Sequence, residues 1–261
     1  MKRTYVKLLT VAGLTGCFLF TSCRSAQETT ARYEISKVEG NMITIDSTWD
    51  ANPDKKATTV LKPYKDKVDA MMYEVIGTSE MKMDKGTPES LLSNLVASVL
   101  QEAAAQVLGK PADMGLVNMG GLRNILPKGD ITVGAVFEIL PFENSLCVLT
   151  MKGTDLRRLC EAIASLHGEG VSGIRLEITK DGKLLNATIG GKPVVDDQLY
   201  TVATIDYLAD GNGRMDAFLQ AEKRVCPEDA TLRGLFLDYV RKQTAEGKAI
   251  TSKLDGRITI K

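Results

Sequence analysis

Apolar residues recur with the spacing of an amphipathic helix in four stretches of the chain. Their apolar positions lie within residues 60–72, 91–107, 156–166 and 232–240. We therefore predict four main helices. Gly109, followed by Pro111, should end the second of them, because both residues stop a helix.

Residues that commonly cap helices indicate where two of these helices begin. Thr87 precedes Pro88 and Glu89, so we predict a helix with the Thr87 hydroxyl as its N-cap and the other two residues in its first turn. Thr154 stands in a similar position before the helix that carries Leu156. Thr154 is therefore the second predicted N-cap.

Shorter apolar runs between the helices predict β-strands. They occupy residues 114–118, 146–151, 174–179, 184–189, 199–205 and 257–260, with a small hairpin predicted over residues 33–45. Glycine-containing pairs at 181–182 and 190–191 predict tight turns between strands. Because helices and strands intermix without a strict βαβ repeat, we predict an α+β fold with a mixed β-sheet and packed helices.

The first residues have the layout of an export signal. Lys2, Arg3 and Lys7 precede an apolar run over residues 8–20, which is shorter than a membrane span needs. Small residues then precede Cys23, and the chain turns polar after it, as in a bacterial lipobox. We predict a lipoprotein signal peptide over residues 1–22, lipidation at Cys23 and a tether over residues 23–32.

Alternatives to this interpretation stay open. Cys17 has the better local pattern, but cleavage before it would leave the apolar residues 18–20 exposed. A plain signal peptide or an uncleaved anchor is also compatible with the layout. We expect an exported protein, lipid-anchored to the bacterial cell envelope at the outer membrane or in the periplasm. A hairpin and linker helix over residues 33–74 should then precede a domain over residues 75–261.

Charge and cysteine content exclude several kinds of partner. Basic and acidic side chains are equal at 33 each, so no basic excess indicates nucleic acid. Loss of residues 1–22 would leave 30 basic against 33 acidic side chains, and membrane contact should rest on the lipid alone. Beyond Cys23, the cysteines Cys147, Cys160 and Cys226 are far apart and odd in number, so they imply neither a disulfide framework nor a zinc site.

The histidine content argues against a complete hydrolase site. His167 is the single histidine of the chain, whereas metal-dependent phosphohydrolases need several histidines and carboxylates around their ions. It precedes Gly168 at a predicted helix end, where an exposed C-terminal position is the simpler interpretation. We therefore predict no catalytic and no metal-binding residues in this chain.

Three segments carry residues suited to a ligand that has both a ring and a charge. The first, residues 118–123, has a Gly-Gly pair before an arginine; the second, residues 141–144, presents an aromatic ring beside an amide; the third, residues 204–213, has a tyrosine before a glycine-rich turn. Glycines let backbone N–H groups approach a ligand, arginine offers a fork for phosphate, and aromatic rings can stack on a base. Taken singly, both aromatic residues could equally belong to the core.

The order and wording of these segments resemble the C-terminal domain of the 5′-nucleotidase and UDP-sugar hydrolase family. The resemblance covers about residues 75–261 and includes Ile131-Thr132 and the helix start at 153–156. It implies a nucleoside or nucleotide ligand stacked between two aromatic rings. The substrate-binding residues that it implies are Asn118, Gly120, Gly121, Arg123, Phe142, Asn144, Tyr207 and Asn212.

In that family a separate N-terminal domain holds two metals, and nothing in this sequence resembles it. The resemblance thus implies no cofactor in this chain, and a divalent metal pair in a separate metallophosphatase partner. The family's further arginines before the helix at residue 87 are replaced by lysines in residues 82–86, and the glycine-rich turn is one residue shorter. Two hypotheses follow: the substrate-binding part of a split phosphohydrolase, or a scaffold lipoprotein that keeps the fold without the ligand.

Overall fold

A computed structural model describes residues 34–261, so the predicted signal peptide and the lipidation at Cys23 lie outside the described residues. The described residues divide at Asp54 into two units. The α-helices are α1 (Lys55–Met72), α2 (Leu91–Ala103), α3 (Ala105–Leu108), α4 (Val133–Ile139), α5 (Gly153–Ser165), α6 (Asp206–Ala209) and α7 (Leu232–Ala245).

The described part of the first unit, residues 34–54, contains a single 3-10 helix at Ser47–Ala51, capped by the Asp46 carboxylate. Residues 34–45 form no strand and are exposed, so the predicted hairpin is wrong. The physical reason is that two short strands without a third strand or a helix to pack against are marginal in water.

The second unit contains eleven strands, β1 (Val75–Ser79), β2 (Met114–Val117), β3 (Gly129–Thr132), β4 (Leu146–Lys152), β5 (Gly170–Ser172), β6 (Ile174–Ile178), β7 (Leu184–Ile189), β8 (Lys192–Pro193), β9 (Leu199–Ile205), β10 (Lys223–Val225) and β11 (Ile258–Ile260). They form three sheets with the orders β1-β3, β10-β4-β9-β2-β5 and β11-β6-β7-β8. The two larger sheets each combine parallel and antiparallel pairs. The α+β prediction with a mixed sheet is therefore confirmed.

Helix α2 is the apolar centre of the second unit. Its residues Leu92, Leu95, Val96 and Leu100 are buried, and the helix packs on β2, β5 and β9. The stretch Leu91–Leu108 has a mean hydropathy of 1.3, but half of it is buried inside the protein, as a core helix requires. Helix α1 differs, because no residue on it is buried, although its residues contact α4.

Both predicted N-caps are wrong, for different reasons. Helix α2 begins at Leu91 and is capped by the Ser90 hydroxyl, which accepts from the N–H of Ser93. Thr87 instead lies three residues before that cap, in the cis Thr87-Pro88 unit.

Helix α5 begins one residue before Thr154, and no side chain caps it. The N–H groups of Gly153 and Thr154 donate to the carbonyls of Gln198 and Asp196 at 2.9 and 3.1 Å. A neighbouring segment thus satisfies the first donors of the helix, and a capping hydroxyl is not needed.

A disulfide joins Cys147 to Cys226, which contradicts the expectation from cysteine spacing. The pairing follows from the antiparallel register of β4 and β10, in which Val148 lies opposite Val225. Cys147 precedes Val148, and Cys226 follows Val225 just beyond the end of β10. The two cysteines therefore face each other, with their Cα atoms 4.2 Å apart. Cys160 is the third cysteine of the described chain and, as predicted, lies in the core.

We expect removal of this disulfide to lower the free energy of unfolding by about 2–5 kcal/mol, because it closes a loop between residues 79 positions apart. The test compares thermal unfolding of the wild type and a Cys147→Ser, Cys226→Ser variant, each with and without reductant. Reductant should lower the midpoint of the wild type and leave that of the variant unchanged. Equal reductant effects, or alkylation of Cys226 in unreduced denatured protein, would show that the bond does not form.

Candidate functional site

Three strand ends meet at one edge of the five-stranded sheet. Strands β2 and β9 are parallel and both run toward this edge, whereas β4 is antiparallel to β9 and starts there, with Leu146 opposite Ile205. The segments that follow β2 and β9 and the loop that precedes β4 must therefore lie side by side. These are the three segments that the sequence analysis singled out.

A cavity of about 370 Å³ opens between these segments. Its lining consists of six of the eight predicted substrate-binding residues: Asn118, Gly120, Gly121, Phe142, Asn144 and Tyr207. Phe142 and Tyr207 are 47% and 44% exposed, so neither ring belongs to the core. The remaining two predicted residues, Arg123 and Asn212, are exposed and do not line the cavity.

The Gly-Gly turn lies directly over the Asn118 side chain. A Cβ atom on Gly121 would stand 3.0 Å from Asn118 Oδ1, and one on Gly120 would stand 3.4 Å from Asn118 Nδ2. Asn118 Oδ1 is buried and has no hydrogen-bond partner among the described residues. An unmet buried acceptor costs about 1–3 kcal/mol, and the residue that carries it lines the cavity.

A buried arginine, which the sequence did not predict as a site residue, supports the loop that carries Phe142. Arg233, near the start of α7, donates from Nη1 to the Leu140 carbonyl at 3.2 Å and from Nη2 to the Glu143 carboxylate. Its guanidinium also lies 4.1 Å from the centre of the Phe137 ring. These contacts fix both ends of the short segment that presents Phe142.

Backbone bonds complete the support of this loop. The Leu232 N–H donates to the Asn144 carbonyl at 2.8 Å, and the Leu146 N–H donates to the Ala230 carbonyl at 2.8 Å. The Asn144 side-chain amide makes no hydrogen bond within residues 34–261, although it lines the cavity. The loop therefore offers a fixed aromatic ring together with a free donor and acceptor.

A lysine and an arginine donate hydrogen bonds to carbonyl groups at the Gly-Gly turn. Lys85 Nζ donates to the Leu122 carbonyl at 2.6 Å, and Arg123 Nη1 donates to the Gly120 carbonyl at 3.4 Å. Lys85 belongs to the stretch in which the family resemblance predicts arginine. Both cations thus touch the turn that lines the cavity, but from outside it.

Glu169 is a second residue that sequence analysis missed. It precedes β5 and accepts from the Met119 N–H, at the start of the Gly-Gly turn. Desolvation raises its pKa from 4.5 to about 7, and the bond from Met119 offsets part of that rise. No sequence motif marks this glutamate, because only the pairing of β2 with β5 brings it to the turn.

Two residues with reactive side chains, His167 and Cys160, do not line the cavity. His167 is exposed two residues after the end of α5, with a left-handed φ of 62°. Burial raises the pKa of the Cys160 thiol to about 12, which removes it as a nucleophile at neutral pH. Within residues 34–261, no three His, Cys, Asp or Glu side chains converge as a metal site, so the residues present do not fit a metal pair.

We expect Glu169→Gln to flatten the dependence of stability on pH. The folded pKa lies above the ordinary value, so the folded state binds more protons between pH 4.5 and 7, and its free energy of unfolding falls as pH rises through this window. Glutamine keeps an acceptor for Met119 but carries no charge. Denaturant unfolding from pH 4 to 8 should show the variant gaining on the wild type as pH rises from 4.5 to 7, and keeping that gain at higher pH.

A matched control is Glu161→Gln, which removes an exposed carboxylate from α5. This change should leave the pH profile of the wild type unaltered. Parallel profiles for wild type and Glu169→Gln would contradict the raised pKa.

Comparison with known proteins shows to which family this chain belongs. The family model for the 5′-nucleotidase C-terminal domain matches residues 75–220. The endonuclease YhcR of Bacillus subtilis is 30% identical over 188 residues, covering 69% of this chain and 15% of that protein. The cell wall protein Lmo0130 of Listeria monocytogenes is 27% identical, covering 81% of this chain and 30% of that protein.

A solved structure gives the same result. The 5′-nucleotidase precursor of Thermus thermophilus superposes with a TM-score of 0.67 at 27% identity, covering 81% of this chain and 44% of that one. The chain thus spans less than half the length of these relatives. The matched residues include all three segments around the cavity, and the chain belongs to the 5′-nucleotidase C-terminal domain family.

Proposed function

We propose that this chain is the nucleoside- or nucleotide-binding part of a split 5′-nucleotidase-type phosphohydrolase. The observation that carries the proposal is the cavity between the half-exposed rings of Phe142 and Tyr207. Exposed aromatic side chains on supported loops cost free energy in water, and a planar base that stacks on them removes that cost.

Polar groups around the rings suit the edge of a base or a ribose. The Asn144 amide lines the cavity with its donor and acceptor unused by the described chain, and Asn118 Oδ1 lacks a donor. Ribose hydroxyls and exocyclic amines supply such donors. Asn212, exposed at the glycine-rich turn, is a further candidate contact beyond the cavity lining.

A phosphate group would lie on the side of the Gly-Gly turn that faces the cations. Arg123 and Lys85 each donate to a carbonyl of this turn and remain exposed. The weak 3.4 Å contact of Arg123 leaves its guanidinium able to turn toward a phosphate. In this proposal Arg123 discriminates a nucleotide from a nucleoside.

The reaction itself needs a partner. Residues 34–261 contain no group of three or more His, Cys, Asp or Glu side chains that could hold a metal ion. We therefore propose that a separate metallophosphatase chain supplies the divalent metal pair and activates water. The relatives' greater length leaves room for such a domain in their own chains. Export, supported by the relative named as a cell wall protein, and a lipid on Cys23 would anchor this chain to the cell envelope.

One observation favours the second hypothesis, a scaffold lipoprotein that does not bind nucleotide. Arg123 does not line the cavity, and lysine replaces the arginines that the resemblance predicts in residues 82–86. A lysine is a point charge and cannot grip phosphate in two places as arginine does. Ligand binding by the chain alone separates the two hypotheses.

We expect Phe142→Ala and Tyr207→Ala each to weaken adenosine binding by about tenfold or more, since stacking on one aromatic ring is worth ~1–3 kcal/mol. Arg123→Ala should weaken AMP binding and spare adenosine, which has no phosphate. Calorimetric titration of the protein and the three variants with both ligands measures these effects.

The matched control for lost aromatic area is Tyr64→Ala, which removes an exposed ring on α1. This variant should bind adenosine like the wild type. If the wild type binds neither adenosine nor AMP at millimolar concentration, the scaffold hypothesis replaces the proposed one.

We further expect the protein alone to release no phosphate from AMP, even with added divalent metals, because its described residues contain no group of three or more converging His, Cys, Asp or Glu side chains. Phosphate release is measured with Mn²⁺, Co²⁺ or Zn²⁺ present. Metal-dependent turnover within about a hundredfold of an ordinary enzyme, at roughly 10 per second, would overturn this expectation.

A further inference from the structure

A second cavity, of about 320 Å³, lies between the four-stranded sheet and the segment that leads into β11. Its charged lining residues are Arg175, Asp255 and Arg257. It shares no lining residue with the cavity between Phe142 and Tyr207. We refer to it as the arginine cavity.

We propose that the arginine cavity binds a small oxyanion of the phosphate type. Two guanidinium groups and one carboxylate lie among its lining residues, and a second carboxylate, that of Glu89, accepts from the backbone N–H groups of Asp255 and Arg257. Arginine stays protonated at every physiological pH, so both guanidinium groups remain hydrogen-bond donors. The site goes beyond the proposed nucleotide function and does not depend on it.

Both arginines are held in place by the fold before any ligand arrives. Arg257 Nη1 donates to the Asn94 and Val171 carbonyls, each at 2.8 Å, and Arg257 Nε donates to Asp255 Oδ1 at 3.0 Å. Arg175 Nη1 donates to the carbonyls of Asp255 and Gly256. A ligand would therefore lose little affinity to the ordering of these side chains.

Each guanidinium nevertheless keeps unused donors. A guanidinium has five N–H groups, and neither Arg257 Nη2 nor Arg175 Nε makes a hydrogen bond within the described chain. Arg175 Nη2 lies 3.9 Å from Asp255 Oδ2, within an ion pair but beyond hydrogen-bond distance. The cavity is thus bordered by N–H groups that an oxyanion can engage.

The surroundings strengthen such bonds and leave access open. The Arg257 side chain is only 15% exposed, so a bond to it is screened less than one at the surface. On the rim, Gly190 and Gly191 have left-handed φ values of 59° and 77°, and an added Cβ atom at either would meet nothing within 4 Å. The turn between β7 and β8 therefore leaves the entrance free of side chains.

Asp255 sets the selectivity of the site. Its carboxylate takes up the Nε donor of Arg257 and lies near Arg175, so one of the two positive charges is already balanced. A large polyanion would approach that carboxylate closely, whereas a single small oxyanion needs only the remaining donors. Ser172 and Thr188 add hydroxyl-bearing side chains to the lining.

The test is calorimetric titration of the protein with inorganic phosphate at low ionic strength, with sulfate and succinate as parallel arms. We expect saturable one-to-one phosphate binding that Arg175→Ala weakens at least about tenfold, because hydrogen bonds to charged groups are strong. Arg175 is an exposed side chain, so its removal should not unfold the protein. Stronger binding of succinate than of phosphate would overturn the assignment to a phosphate-type anion.

Two control variants locate the site. Arg157→Ala removes a comparably exposed arginine, paired with Asp196 outside the cavity, and should leave phosphate binding unchanged. Arg123→Ala separates the arginine cavity from the phosphate contact proposed at the Gly-Gly turn, because Arg123 does not line the arginine cavity. Absence of saturable binding up to about 10 mM, or loss of binding in Arg123→Ala but not in Arg175→Ala, would overturn the proposal.

Discussion

The antiparallel pairing of β4 with β9 places two of the three segments around the cavity lined by Phe142 and Tyr207. Seven residue pairs run from Leu146 opposite Ile205 to Lys152 opposite Leu199. At one end of this ladder, the loop with Phe142 leads into β4, and β9 leads into the helix that contains Tyr207. The Asp206 N–H donates to the Ser145 carbonyl at 2.9 Å, just beyond the last pair, so the ladder extends to the edge of the cavity. A shift by one residue would turn the core residues of one strand toward the wrong face of the sheet. The free-energy cost of that shift fixes the register, and the register fixes where the two segments with Phe142 and Tyr207 begin.

Sequence patterns predicted the features that depend on residues close together along the chain. Helix periodicity located α2, because the apolar positions from Leu92 to Leu100 must all face the same core. The family resemblance identified Phe142 and Tyr207, because its motifs preserve the order of the strand ends. Both N-cap predictions were wrong because other groups bond the first N–H groups of each helix. Ser90 lies closer to the start of α2 than Thr87 does. At α5, the carbonyls of Gln198 and Asp196 accept from the first N–H groups, so the Thr154 hydroxyl does not cap the helix.

The features that sequence analysis missed depend on register or on distant neighbours. Cys147 and Cys226 meet because two antiparallel strands bring them opposite each other, and spacing along the chain carries no record of this. Arg233 reaches Leu140 across 93 positions, and Glu169 reaches Met119 across 50. Neither residue has a motif around it, since its role comes from the loop that it supports. These contacts could be predicted only if the register of the sheet were already known.

Glu89 ties the beginning of the fold to its late residues. One carboxylate oxygen accepts from the Asp255 N–H and the other from the Arg257 N–H, each at 2.9 Å, while the Asn94 amide bonds the first oxygen as well. Strand β11 then pairs in parallel with β6 across more than eighty positions. A chain still emerging from the ribosome cannot form these hydrogen bonds until residue 257 is available. Completion of this unit therefore depends on contacts between residues 166 and 168 positions apart, which local structure around Glu89 cannot replace.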